Sequence, residues 1–423
     1  MVKLIFSILI IPAFLQAQIK KELFIEIADF YEFKSAAVSL TFDDGSVNQF
    51  TVGLKGLDSM SFKGTFFINP GFLGEKNWAL MKNLIKAGHE VGSHTMTHPH
   101  LKEINLDQAR IEIKQSKAVI EQNINNYQCI SFAYPFGESN ENIRQITSSY
   151  FQAARTTDGG FFPVDASYNF KIPGFLFSSG TKLITANKWV NNAIHNNKWI
   201  VEIFHGFEND GWSPISSSLY LSHLQYIKSK EDYLWVTTFG NAIKYFKEHQ
   251  SAKIELTDSS FNYYKLNVTD NLPDSIYDFP LTMRVKIPDR WTQIKVLQNN
   301  ITVNFQLQSD VCKNQYVVFD VIPDHGEMTI TSEKVATLDS ANCNYCNPIA
   351  FPNPFNQTLS ILSGPLIKGT IHIYGSSSAC IFTGELDSEH FKIDTSTWSK
   401  GVYIMMINLN DSSKIIKRIV VKQ

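Results

Sequence analysis

The sequence predicts an α/β domain built on a parallel sheet, with two small all-β sandwich domains after it. Three observations predict this. The chain has 423 residues, more than one ordinary domain holds. From about Ala36 to Gln250, short apolar runs alternate with helix-length segments, the pattern of a parallel sheet covered by helices. Beyond Gln250 the helical segments stop, and short alternating strands separated by turns take over.

In the first region Ala37–Phe42, Gly64–Ile68, Glu90–His94, Cys129–Tyr134, Phe151–Arg155, Trp199–Phe204 and Leu234–Val236 read as strands. Leu106–Asn125 has helical periodicity, and the helix before Glu90 stops at Gly88, a natural terminator. This many units can close into a barrel with the helices outside. Tyr264–Val268, Leu281–Val285, Ile294–Leu297, Tyr316–Phe319 and Met328–Thr331 are the strands of the middle sandwich. The division expected is 18–250, 251–335, a polar linker at 336–348, and a β-sandwich at 349–423.

Residues 1–17 read as a secretory signal peptide: Lys3, an apolar run from Leu4 to Leu15, then a small residue, Ala17, before the cut. That run is shorter than the ~20 residues a membrane span needs. No other run is long enough, so no transmembrane helix is expected in the mature chain. A net charge of −2 gives no reason to expect a nucleic-acid partner. Five cysteines leave at least one unpaired, and a lone Cys343-x-x-Cys346 reads as a small disulfide or as two idle thiols.

The chemistry concentrates in Thr41-Phe42-Asp43-Asp44-Gly45 and Ser93-His94-Thr95-Met96-Thr97-His98-Pro99. Two adjacent carboxylates at the C-terminal end of a buried strand stand on the catalytic face of a parallel barrel, and their repulsion favours a cation. Asp-Gly is also a common turn pair. Two histidines four apart share one face if a helical turn forms there. Two imidazoles with one carboxylate make a catalytic-zinc ligand set with a position left for water. His100, by contrast, reads as a satisfied buried imidazole.

Together these two motifs resemble the polysaccharide deacetylase family with the NodB homology fold, carbohydrate esterase family four. The resemblance covers Ala36 to Gln250 and implies a distorted (β/α) barrel of about seven parallel strands. It implies a divalent metal, zinc by default with cobalt or nickel as alternatives, on Asp44, His94 and His98, with Asp43 as general base. Phe132-Ala133-Tyr134-Pro135-Phe136-Gly137 matches the family's third motif but lacks its arginine; Arg155 is one candidate replacement and a surface arginine the other reading. The resemblance assigns the oxyanion to the Tyr134 backbone N–H. His205, in Ile203-Phe204-His205-Gly206, is implied as general acid, against a core histidine. The family's Asp-x-Asp-Trp stretch is absent, leaving Asp158 or Asp232 to back His205. Trp212 reads equally as a sugar-stacking or a structural residue.

Phe351-Pro352-Asn353-Pro354-Phe355, Lys400-Gly401-Val402-Tyr403 and the terminal run from Lys414 to Gln423 resemble the C-terminal sorting domain of the type IX secretion system of Bacteroidetes. That implies a protein secreted or attached to the outer cell surface, with the secretion machinery as a partner. The expected activity is removal of acetyl groups from acetylated polysaccharide. Two alternatives stand beside it: a glycan-binding protein with a degenerate fold, and a glycoside hydrolase, which leaves the histidines unexplained.

Overall fold

The computed structural model describes residues 23–335, apart from 164–168, 261, 290 and 311–313, and residues 349–422, apart from 352–354, 356, 363–367, 376–378, 387–389 and 411–414. The signal peptide, the linker and Cys312, Cys343 and Cys346 of the sequence reading lie outside the described residues. The chain divides into two compact units, 1–335 and 336–423.

The first unit opens with a short strand, β1 (Ile25–Ile27), and then builds the α/β layer. Its strands are β2 (Ala36–Asp43), β3 (Thr65–Ile68), β4 (Glu90–Ser93), β5 (Ser131–Ala133), β6 (Ala153–Arg155), β7 (Phe175–Leu176), β8 (Trp199–Phe204) and β9 (Leu234–Val236). The order is β6-β5-β4-β3-β2-β8-β7, every pairing parallel, with β9 on the N-terminal half of β2. Helices α1 (Leu54–Ser59), α2 (Glu75–Lys86), α3 (Leu106–Asn123), α4 (Glu141–Ser148), α5 (Leu183–Asn196), α6 (Ser217–Lys228) and α7 (Phe239–Ser251) connect them. Residues 169–176 bridge the two sheet edges: Ala154 N–H donates to Asn169 O and Thr156 N–H to Ile172 O, while Phe175 and Leu176 pair with Glu202 and Ile203. The result is the distorted (β/α) barrel expected. β7 is too short to show any periodicity, and the sequence reading passed over it.

β2 is buried at all eight positions, which explains why it reads as an almost unbroken apolar run. The helices start where side chains cap them: Asn105, Asn140, Ser216 and Thr238 each accept from a first-turn amide of α3, α4, α6 and α7. Below the sheet, the buried Glu90 carboxyl accepts from Thr65 Oγ1, Ser131 Oγ and the Gly240 amide, tying α7 to β3, β4 and β5.

Eight antiparallel strands follow: β10 (Lys253–Ser260), β11 (Tyr263–Thr269), β12 (Leu281–Ile287), β13 (Trp291–Gln298), β14 (Ile301–Thr302), β15 (Phe305–Ser309), β16 (Gln315–Val321) and β17 (Met328–Val335). They form two sheets, β1-β12-β16-β15 and β10-β11-β17-β13-β14. Strand β1 therefore completes the sandwich and not the barrel, pairing Ile25 with Val285 and Ile27 with Met283. One apolar cluster runs from Phe67, Trp199 and Phe239 of the α/β layer into Leu281, Val285 and Phe319 of the sandwich.

The second unit has β18 (Ile349–Phe351), β19 (Thr358–Leu362), β20 (Gly369–Tyr374), β21 (Cys380–Leu386), β22 (His390–Asp394), β23 (Gly401–Leu409) and β24 (Ile415–Lys422) in two sheets, β18-β19-β22 and β21-β20-β23-β24. Its core is Leu359, Ile361, Ile371, Ile373, Met405, Ile407 and Val420. Near the chain end the buried Lys422 ammonium donates to the carbonyls of Thr395 and Trp398. Among the described residues no helix is long and apolar enough to cross a membrane.

Candidate active site

The C-terminal ends of β2, β4 and β8 bring Asp43, Asp44, His94, His98 and His205 together. Phe42 pairs with Phe204 in register, so Asp43 and His205 leave neighbouring strands side by side. Asp44 and Gly45 then turn the chain with φ of 71° and 70°. For Asp44 that is an uncommon backbone region, one that clusters at functional sites.

His94 and His98 converge differently from the sequence expectation. Residues 94–98 form a loop and not a helical turn, with Thr95 at φ 67° and His98 at φ 60°. Three neighbours hold that loop. The Asn69 amide, just past β3, donates to His94 O; the Gly71 amide donates to Met96 O at 3.0 Å; and Glu112 of α3 accepts from Thr97 N–H and Oγ1 at 2.9 and 2.8 Å. Gly71 is required there, because a Cβ would lie 2.6 Å from Met96 O. Sequence reasoning passed over Asn69, whose one signal was its place directly after a strand in Ile68-Asn69-Pro70.

The Asp44 Oδ1, His94 Nε2 and His98 Nε2 atoms suit a single divalent ion. Each histidine nitrogen lies 3.5 Å from Asp44 Oδ1, and the three donor atoms fall within 4.8 Å of one another. Tetrahedral ligands at ~2.1 Å from zinc stand about 3.4 Å apart. His94 Nδ1 donates to Ala133 O at 2.8 Å, which fixes the tautomer with its lone pair on Nε2, toward Asp44. Burial pulls the His94 imidazole down to about 3, with His98 and Arg155 adding to the effect against the attraction of Asp43. Burial lowers His98 as well. The neutral form, the one able to ligate, is thus favoured at both rings. Burial, then repulsion from Asp43, raises the Asp44 carboxyl, the strain that a bound cation relieves.

Asp43 is buried beside Arg155, which is wholly buried and no surface residue. Arg155 Nη2 donates to Asp43 Oδ1, and the guanidinium lies 4.8 Å from the Phe67 ring centre. Burial alone pushes the Asp43 carboxyl up. The Arg155 charge, then His94 and His205, outweigh it and hold Asp43 below the ordinary carboxylate range. His205 Nε2 stands 3.7 Å from Asp43 Oδ2, while its buried Nδ1 has no hydrogen-bond partner. Neither Asp158 nor Asp232 backs it; Asp158 accepts from Thr156 Oγ1 instead.

Tyr134 is placed differently from the expectation for its backbone N–H. Its amide donates to Arg155 O at 3.2 Å, in the extension of the β5–β6 ladder, so that N–H is not free to face a substrate. Its hydroxyl donates to Phe170 O at 3.2 Å. Pro135 has no N–H, and the next amide belongs to Phe136, in a tight turn with φ 59°. The exposed Phe136 ring contacts His98 at 4.6 Å between centroids and stacks on His100 at 3.6 Å. His100 is thus a half-exposed stacking partner and not the buried imidazole expected. Across the site the exposed Trp212 meets His205 edge-on at 5.1 Å.

Residues 31–151 match the model of the polysaccharide deacetylase family, and residues 349–422 that of the secretion system C-terminal sorting domain. A gellan lyase of a Bacillus species is 26% identical over 344 residues, 75% of this chain and 14% of that protein. A peptidoglycan-N-acetylglucosamine deacetylase of Bacillus cereus is 34% identical over 111 residues, 26% of this chain and 40% of that one. The chain thus spans less than half the length of these two relatives. Among solved structures, a family 4 carbohydrate esterase from Streptomyces lividans in complex with acetate aligns at 20% identity and TM-score 0.33, covering 48% of this chain and 92% of its own.

Proposed function

Starting from a chain that carries a polysaccharide deacetylase domain and a sorting domain that marks it for export by type IX secretion to the cell surface or beyond, we propose that it hydrolyses acetyl groups from an acetylated glycan. The observation that carries the reading is the 3.5 Å spacing of Asp44 Oδ1 from both histidine nitrogens, next to a separate buried carboxylate, Asp43. A divalent ion held by Asp44, His94 and His98, zinc in the first instance with cobalt or nickel as alternatives, supplies Lewis acidity and a water acidic enough to react near neutral pH.

The chain's own residues do the rest. Asp43, kept ionised by Arg155, accepts a proton from the water that attacks the acetyl carbonyl. In this reading the Phe136 N–H donates to the oxygen on which negative charge develops; such a donor contributes ~3 kcal/mol to lowering the barrier. His205 gives a proton to the departing sugar nitrogen or oxygen, and acetate leaves with the carbonyl carbon. Trp212 and Phe136 offer apolar faces to the sugars on either side. The secretion machinery is the second partner that the sorting domain implies.

One observation favours a second reading, a glycan-binding protein without turnover: His205 lacks a hydrogen-bond partner at Nδ1 to hold its ring for proton transfer. Acetate release decides. Wild type and Asp44→Ala are assayed on chitooligosaccharide, peptidoglycan and acetylxylan. Acetate from at least one substrate with wild type, and none with the variant, is expected. Binding without acetate from any of the three selects the second reading.

A further inference from the structure

The loop after β2 and the loop after β8 are fastened by side chains that the mechanism above does not use. Gln49 begins a single π-helical turn, Gln49–Gly53, and is fully buried. Its Nε2 donates both hydrogens, one to the Asp43 carbonyl and one to the His205 carbonyl at 2.7 Å. Its Oε1 is buried with no partner. Ser46 Oγ donates to the same His205 carbonyl at 3.0 Å, Asn48 Nδ2 to Phe207 O at 3.1 Å, and the Asn48 amide to Asp210 Oδ2 at 2.7 Å.

We infer that Gln49 is a positioning residue that sets the distance between the proton-accepting Asp43 and the proton-donating His205. The inference rests on the reading of those two as base and acid. Three features carry it. The amide grips the two carbonyls that belong to the acid and the base themselves. It spans the point where the β2–β8 pairing has ended, Phe42 and Phe204 being the last paired residues. It is also retained with its own oxygen unsatisfied, so a volume-matched apolar side chain would remove a desolvation cost that the native residue carries. A side chain kept only for packing has no need of that amide. π-helical turns concentrate at functional sites, where they bring a side chain inward that a regular helix would place elsewhere.

The test uses the full-length, metal-loaded protein and two variants. Gln49→Met keeps the volume and removes both donors. Gln49→Glu keeps the shape, but donates only when its carboxyl is protonated. Both are expected to lower kcat on the order of 10- to 100-fold with KM and metal content unchanged, as a misplacement of reacting groups by about 1 Å does. The deficit of Gln49→Glu relative to wild type is expected to shrink as pH falls, while that of Gln49→Met stays constant. A crystal structure of Gln49→Met is expected to show Asp43 Oδ2 and His205 Nε2 further apart than the native 3.7 Å. An unchanged separation, or a kcat equal to wild type, overturns the inference. If wild type itself releases no acetate, the deacetylase reading fails, and the crystallographic separation still decides the part played by Gln49.

Discussion

Arg155 and Asp43, 112 residues apart in the chain, are buried against each other with the guanidinium Nη2 donating to the carboxylate Oδ1. They enter from the ends of β6 and β2, which are not neighbours in the sheet. An arginine from another strand thus compensates the charge of Asp43 where both groups are buried.

Arg155→Met leaves that carboxylate buried and unpaired. Removing one partner of a buried ion pair costs ~3–5 kcal/mol, and urea unfolding of the variant is expected to show a loss of this size. The double variant Arg155→Met, Asp43→Asn leaves neither charge behind and recovers most of it. A single variant as stable as wild type contradicts the pairing.

Dialysis against a chelator is expected to abolish acetate release, and zinc, cobalt or nickel to restore it in wild type but not in Asp44→Ala. Asp43→Asn is expected to retain one metal per chain by elemental analysis while kcat falls ~10²–10⁴-fold, the range general-base loss produces. Full activity in that variant removes Asp43 from its assigned part.

Asn69 is not one of the three donor residues, yet it holds the His94 carbonyl in a loop that contains two left-handed residues. Asn69→Ala is expected to weaken metal affinity ~10–100-fold, as loss of supporting contacts around a metal site does. Titration with a competing chelator measures it. Unaltered affinity shows the loop to be self-supporting.

Glu248, on α7 and far in sequence from the site, gives the clearest pH dependence of stability. Burial, then Asp270 and Asp278, push its carboxyl from an ordinary 4.5 up to about 8. A carboxyl raised on folding favours the native state fully below its unfolded value and loses that contribution as pH rises through the folded one. Wild type is therefore expected to lose stability relative to Glu248→Gln between about pH 4.5 and about pH 8. Tm measured for both proteins across that window checks it, and parallel curves contradict it.

The sequence by itself determined the alternation of the longer strands with helices, though not β1 or β7, because burial on both faces writes a strand such as Ala36–Asp43 as an apolar run. It singled out the clustered carboxylates and imidazoles too, since Asp43-Asp44 and the His94 and His98 pair stand in short motifs at strand ends. What only the tertiary structure decided are relationships between distant segments: Arg155 against Asp43, Gln49 bridging to His205, Asn69 under His94, and β1 joining the sandwich. It also showed the Tyr134 amide to be used in the extension of the β5–β6 ladder, donating to Arg155 O. The physical reason is that periodicity and motif spacing record local conformation and burial. Which buried donor meets which acceptor depends on the order of strands in the closed sheet and on loops at positive φ, where neither leaves a regular period in the sequence.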